Sequence, residues 1–198
     1  MNDYISQNYD DEKRWVSYWY QINEVLSLNP RSVLVVGKGN GLVAEYLKMQ
    51  GIKTITLDID KLLNPDVVAS VLKMPFADNE FHAILCAQVL EHLPYEDFFK
   101  AISEIKRVAK TGAVISLPHF GPAIRFLFKF PLIPEIKFMI KVPYPKVHIF
   151  KGEHYWEIGK KDYSLKKIKR EIMKSGLAIE KDYVVFENPL HHFFMLKK

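Results

Sequence analysis

The hydrophobic pattern alternates between short buried runs and longer amphipathic stretches. Val33, Leu34, Val35 and Val36 form an apolar, β-branched run, the pattern of a strand buried on both faces. Beyond it, Leu42, Val43, Tyr46 and Leu47 recur at helical spacing. Residues 52–57 (IKTITL) predict a second strand, 66–69 a third, 81–86 a fourth and 113–117 a fifth, closed by Pro118. Between the last two, Phe98, Phe99, Ile102, Ile105 and Val108 predict a helix over about 95–109, stopped at Thr111-Gly112. Lys106, Arg107 and Lys110 suit the dipole at its end. Ahead of the sheet, Trp15, Val16, Trp19, Ile22, Val25 and Leu26 repeat at spacings of three and four, and Asn29-Pro30 ends that pattern. Trp15 and Trp19 are expected to pack on the sheet. Near the end of the chain, Ser164 caps a helix running to about Ser175. Strands over 177–186 and 190–196 follow.

Strands alternating with helices predict an α/β fold built on a largely parallel sheet. The length of 198 residues reads as a single domain over 1–198, with a helical cap at 1–28. Residues 119–156 break the alternation. They are rich in proline, apolar and basic at once, and Arg125/Lys129 and Lys137/Lys141 are each four apart. Two short helices with basic stripes fit this spacing. The segment reads either as a lid over a substrate site, with a membrane surface as its support, or as an ordinary packed subdomain or dimer face.

Charge adds little to this picture. The formal net charge is +5, and the excess falls after Arg125, whereas residues 1–12 carry acids only. Most of the lysines, including those at 166–169, read as a solvated face rather than an RNA-binding one. Cys86 is the single cysteine, which excludes an internal disulfide and fits a reducing compartment. The polar start is unlike a signal peptide and no run approaches a membrane span, so a cytoplasmic protein is expected.

The chemistry concentrates between the first strand and its helix. Gly37, Gly39 and Gly41 alternate there. A loop without Cβ atoms lets a ligand reach the backbone, and the following helix start offers free N–H groups. Asp58 ends the second strand about twenty positions after Gly37, where an acid suits ribose hydroxyls. This GxGxG pattern resembles the first motif of the class I S-adenosylmethionine-dependent methyltransferases. The segment Gln88-Val89-Leu90-Glu91-His92-Leu93 is similar to their post-strand motif, and Gly152-Glu153-His154-Tyr155-Trp156 looks like the stretch before their last helix. The resemblance covers about 31–117 well and 148–198 loosely. It departs at Val35, where the family commonly has an acid, at Ser70, where it has Asp, and at His82, also usually Asp.

The resemblance implies a doubly wound seven-stranded sheet of order 3-2-1-4-5-7-6, mostly parallel, with a C-terminal antiparallel hairpin. It implies S-adenosyl-L-methionine as cofactor, with S-adenosyl-L-homocysteine as product. Gly37, Gly39 and Gly41 would meet the methionine portion, Asp58 the ribose, and Ile59 the adenine, framed by Ser70 and Val71. Gln88 would close the site, and Tyr4, Tyr9 and Trp15 come within reach of it. Methyl transfer would then go to a small, apolar acceptor in preference to RNA, with His92 and His119 as candidate bases. Ser70 reads equally as a turn residue, and His92 as a turn cap. Other readings of the chain are a non-catalytic cofactor-binding subunit and a nicotinamide-linked oxidoreductase. His119, His148 and His154 match no compact ligand spacing, so no metal is expected. Oligomeric state is left open.

Overall fold

The computed structural model describes residues 10–198. Tyr4 and Tyr9 lie outside the described residues. Helix α1 (Glu12–Ser27) leads into strand β1 (Ser32–Val36), helix α2 (Leu42–Met49) and strand β2 (Lys53–Asp58). Strands β3 (Val67–Val68) and β4 (Phe81–Ala87) come next, then α3 (Phe98–Val108) and β5 (Ala109–Pro118). A hairpin of β6 (Ala123–Phe128) and β7 (Ile136–Lys141) follows, and α4 (Leu165–Lys174), β8 (Ala178–Val184) and β9 (His191–Lys197) end the chain.

Seven strands form one sheet in the order β3-β2-β1-β4-β5-β9-β8. The first five are parallel, and β9 runs antiparallel to both β5 and β8. This is the expected order, with β8 and β9 as the sixth and seventh strands. One face of the sheet buries Leu34, Ile84 and Ile115 against Ile102 and Ile105 of α3 and Ile168 and Ile172 of α4. The other buries Val33, Leu85 and Val114 with Val25 of α1 and Val43 and Leu47 of α2. Helices on both faces leave the carboxyl ends of the strands as the open edge, where ligands bind in such sheets.

Several local expectations are corrected. Trp15 and Trp19 are 53% and 58% exposed. The inward stripe of α1 is Ser17, Tyr18, Gln21, Glu24 and Val25. Its polar members are tolerated because they have partners: Glu24 accepts from Tyr183 Oη (2.6 Å) and Lys181 Nζ (2.8 Å). Helix α3 stops at Val108, and Thr111-Gly112 lies inside β5. Gly112 is there for space: a Cβ on it would stand 2.1 Å from the Leu196 carbonyl oxygen of β9. Arg107 does more than offset the α3 dipole. Its guanidinium donates to the Met74 and Phe76 carbonyls and to Asp78 and Glu104, pinning the loop before β4.

Residues 123–141 form a β-hairpin, not two helices. A spacing of four fits a strand's period of two as well as a helix's. Pro131 and Pro134 sit in the connection, where Leu132 takes φ 65°. The hairpin sides with its own sheet partner only, β6 against β7. Arg125, Lys137 and Lys141, at alternate positions, bond the 186–189 turn: Arg125 to the Phe186 carbonyl, Lys137 to Glu187 and Lys141 to the Pro189 carbonyl. The intervening positions put Ile124, Phe126 and Phe128 opposite Ile140, Phe138 and Ile136, all of them 46–54% exposed.

Candidate active site

The site is assembled from the loops that leave β1, β2, β4 and β5. Gly37, Gly39 and Gly41 all have positive φ (82°, 54° and 83°), which β-carbon-bearing residues rarely adopt. Gly37 also has a contact reason, since a Cβ there would lie 2.3 Å from Val89 Cγ2 of the segment after β4. The two loops therefore touch at Gly37 and Val89. Gly41 is the residue before α2, so the N-terminus of that helix opens on the loop.

Asp58, at the end of β2, ties the loop in place. Its Oδ2 accepts from the Lys38 backbone N–H (2.7 Å) and its Oδ1 from that of Asp60 (2.9 Å). Each carboxylate oxygen keeps a lone pair for a further donor. Ile59 beside it is 74% exposed, a flat apolar surface at the rim. Lys38 turns its ammonium to the Asn64 carbonyl. Ser70 Oγ accepts from Leu72 N (3.2 Å), the turn role weighed for it, and Val71 is buried behind it. Val35 is buried among apolar residues on the α1–α2 side. His82 lies far from this edge, at the start of β4, where it bonds Ser32.

A carboxylate does stand beside the loop, though not at position 35. Asp10 accepts from Asn40 Nδ2 (3.0 and 3.2 Å) and from Tyr18 Oη (2.8 Å). Sequence reasoning missed it. Asn40 inside the glycine loop was the available signal, but its partner thirty positions upstream follows only from how α1 packs.

On the β4 side, Gln88 takes φ 54°, strained for a non-glycine residue. Its N–H donates to the Ser116 carbonyl (3.0 Å). With its amide oriented to satisfy both ends, the oxygen accepts from Ser116 Oγ (3.1 Å) and the nitrogen donates to Glu91 (3.3 Å). Glu91 is fully buried, which pushes its carboxyl up to about 8. His92 and His154 lie side by side, ring centroids 5.0 Å apart. Burial lowers the pKa of His92, whereas the hydrogen bond to Glu157 raises that of His154.

His119, just past β5, belongs to a different group. His192 Nε2 donates to Asp182 (2.9 Å), so its Nδ1 accepts from His119 Nδ1 (3.0 Å). Asp182 also pairs with Lys169 (2.6 Å). Burial holds His119 down at about 3 and His192 at about 4, so both are neutral near pH 7. Among the described residues the relay leaves His119 Nε2 as its open acceptor. His192 and Asp182 gave no motif in the sequence, because β8 and β9 bring them to β5 only through the antiparallel closure. Of the three histidines considered together, His119 sits with His192, His148 donates to the His154 carbonyl (2.7 Å), and His154 faces His92.

The comparisons with known proteins bear on the fold and on residues 34–117. Residues 34–117 match the family model described as a methyltransferase domain. An uncharacterized protein of Methanocaldococcus jannaschii is 38% identical over 89 residues, which are 41% of this chain and 38% of that protein. The chain thus spans well under half of that relative. The magnesium protoporphyrin IX methyltransferase of Synechocystis, solved with bound S-adenosylhomocysteine, superposes with a TM-score of 0.64 at 12% identity, over 94% of this chain and 84% of that one. The 1,6-didemethyltoxoflavin-N1-methyltransferase of Burkholderia thailandensis gives 0.59 at 13% identity, over 93% and 80%. Residues 34–117 are thus similar to a methyltransferase domain, and the sheet around them has the fold of these solved methyltransferases.

Proposed function

We propose that this chain moves the methyl group of S-adenosylmethionine to a small apolar acceptor taken up at the hairpin side of the site. The residues at the strand ends fit that cofactor. Gly37, Gly39 and Gly41 admit its methionine portion to the backbone. Asp10 supplies the anion for its ammonium that Val35 does not. Asp58 accepts from the ribose hydroxyls, Ile59 lies against the adenine, and Ser70 and Val71 frame that ring. Gln88 closes the methyl side. When bound, the cofactor supplies a methyl carbon activated by a sulfonium leaving group.

The protein's part is then to orient the acceptor and exclude water. His119, aligned by Asp182 and His192, offers Nε2 to a donor on the acceptor. Its low pKa makes it a hydrogen-bond acceptor that aligns the nucleophile rather than a reservoir for a proton. His92, the other expected base, is engaged elsewhere through Nδ1.

The observation that carries the choice of acceptor is the exposed apolar face of the β6–β7 hairpin. That hairpin is fastened beside the end of β5 by the Lys141 ammonium, which donates to the His119 carbonyl (2.7 Å). Over 119–151 six basic residues face a single acid, Glu135, an excess equal to the net charge of the whole chain, +5. Arg125, Lys137 and Lys141 among them are turned to the 186–189 turn and the end of β5, which leaves Lys129, Lys146 and Lys151 as the exposed cations of this segment. Exposed apolar surface with cations in the same segment suits an anionic lipid surface, from which an apolar acceptor would be drawn. Among the described residues no helix is long and apolar enough to cross a membrane, so contact would be from one side.

Two measurements test this. Phe126→Glu with Phe138→Glu should abolish methylation of apolar acceptors and leave S-adenosylhomocysteine affinity unchanged; a loss of cofactor affinity instead would remove the hairpin from the acceptor site. Sedimentation with phosphatidylglycerol vesicles, but not with phosphatidylcholine, is expected of the unaltered protein. Equal recovery in both supernatants would remove the lipid surface.

A further inference from the structure

We propose that Glu91, His92 and His154 form a binding site for one divalent first-row transition metal ion, with zinc as the best-matched probe. Two residues come from the turn after β4 and the third from the stretch before α4, and the fold joins these directly. The Tyr155 N–H donates to the Glu91 carbonyl (2.8 Å), and Trp156 Nε1 donates to that of Leu93 (3.1 Å). One ligand atom from each of the three side chains lies within 4.8 Å of the other two.

Three features separate this group from a chance gathering of polar side chains. The first is the state of the imidazoles. His92 Nδ1 donates to the Glu153 carbonyl (3.0 Å), and His154 Nδ1 to the Glu157 carboxylate (3.1 Å). Both Nε2 atoms are thereby left as the lone-pair ends. An outer carbonyl or carboxylate that fixes tautomer and ring orientation is the usual support for a metal-binding histidine. The second is the relation of the rings, which lie near perpendicular at 77° rather than stacked, so neither covers the other. The third is Glu91. Its side chain is fully buried, yet among the described residues its Oε2 has no hydrogen-bond partner. Gln88 serves the other oxygen. A buried carboxylate oxygen without a partner is rare and calls for an explanation such as an ion.

The donor set is two nitrogens and a carboxylate, without a thiolate. That set suits zinc and its divalent neighbours rather than calcium or magnesium, which prefer oxygen throughout. Three protein ligands also leave coordination positions open. Glu91 is sealed from solvent whereas His92 is exposed, so the opening is on the His92 side. The turn is continuous with Val89, which rests on Gly37 of the glycine loop. On the methyltransferase reading, on which this one consequence rests, an oxygen of the acceptor would take an open position.

The test is calorimetric titration of the metal-stripped full chain with zinc chloride, with cobalt(II) absorption as a second readout. One equivalent should bind, and cobalt should give the intense visible bands of a four- or five-coordinate ion. His154→Ala and the near-isosteric Glu91→Gln should abolish the stoichiometric phase. Glu157→Gln, which touches only the outer support, should weaken binding about ten- to a hundredfold. Thermal melts check that each variant folds, and the exposed His92→Ala serves if Glu91→Gln does not. Less than one equivalent on the folded chain, or equal affinity in the unaltered protein and His154→Ala, would overturn the site. S-adenosylhomocysteine titrated into the same samples keeps the two proposals apart: its binding should be the same with and without zinc, and its failure would count against the methyltransferase reading alone.

Discussion

At the scale of single residues, the site depends on positions where a side chain is missing as much as on those where one is present. Gly37→Ala would force a Cβ into Val89 at φ 82°. The loops after β1 and β4 would then part, and S-adenosylhomocysteine affinity is expected to fall at least tenfold by calorimetry; unchanged affinity would mean the loop contact does not shape the site. Gly112→Ala makes the opposite kind of claim. It lies away from the ligand edge but against the Leu196 carbonyl, so it should cost about 1–3 kcal/mol of stability in urea unfolding, with cofactor binding kept in the fraction that is folded. The glycine loop and Asp58 were legible in the sequence because their spacing is local. Asp10 was not, nor were Asp182 and His192, because the first reaches its partners through the packing of α1 and the other two through the closure of β8 and β9.

Among the elements, the parallel strands could be read directly, since β-branched runs bounded by turn residues have few other uses. The β6–β7 hairpin could not. Its charges recur every fourth residue, a spacing that helix and strand share, and the apolar Leu127 between Phe126 and Phe128 blurs the alternation of Ile124 and Phe126 with Arg125 that separates the two. The prolines of the connection argue against a helix. In α1 the misreading had another cause. Trp15 and Trp19 dominate the apolar count, but burial went to Tyr18 and Val25 together with polar residues that found partners, Glu24 above all. The hairpin's outer face is the element whose exposure most needs a use, and the Phe126→Glu, Phe138→Glu pair should separate acceptor handling from cofactor binding, as set out above.

For the molecule as a whole, stability should depend on acid in a definite direction. Burial holds His119 at about 3 and His191 and His192 at about 4, below the ordinary 6.5. In the window from about 6.5 down to about 4 the unfolded chain binds protons that the folded chain refuses, so folding weakens as pH falls. Glu91, raised to about 8, and His154, raised by its bond to Glu157, act in the opposite sense, but they stand against these three histidines and His92, which burial also lowers. Melting temperature is therefore expected to be lower at pH 5 than at pH 7, and a flat profile would mean that these histidines are not buried neutral. The two-faced sheet that creates these environments also leaves its carboxyl edge as the place for a ligand, and the family match over 34–117 takes in the loops that leave β1, β2 and β4 at that edge.

The most direct measurement is calorimetric titration of the chain with S-adenosylhomocysteine beside an Asp58→Ala variant whose melt confirms that it is folded. Micromolar binding at one site, lost in the variant, is the predicted result. No heat from the unaltered protein, or equal binding in both, would contradict a cofactor site at the ends of β1 and β2.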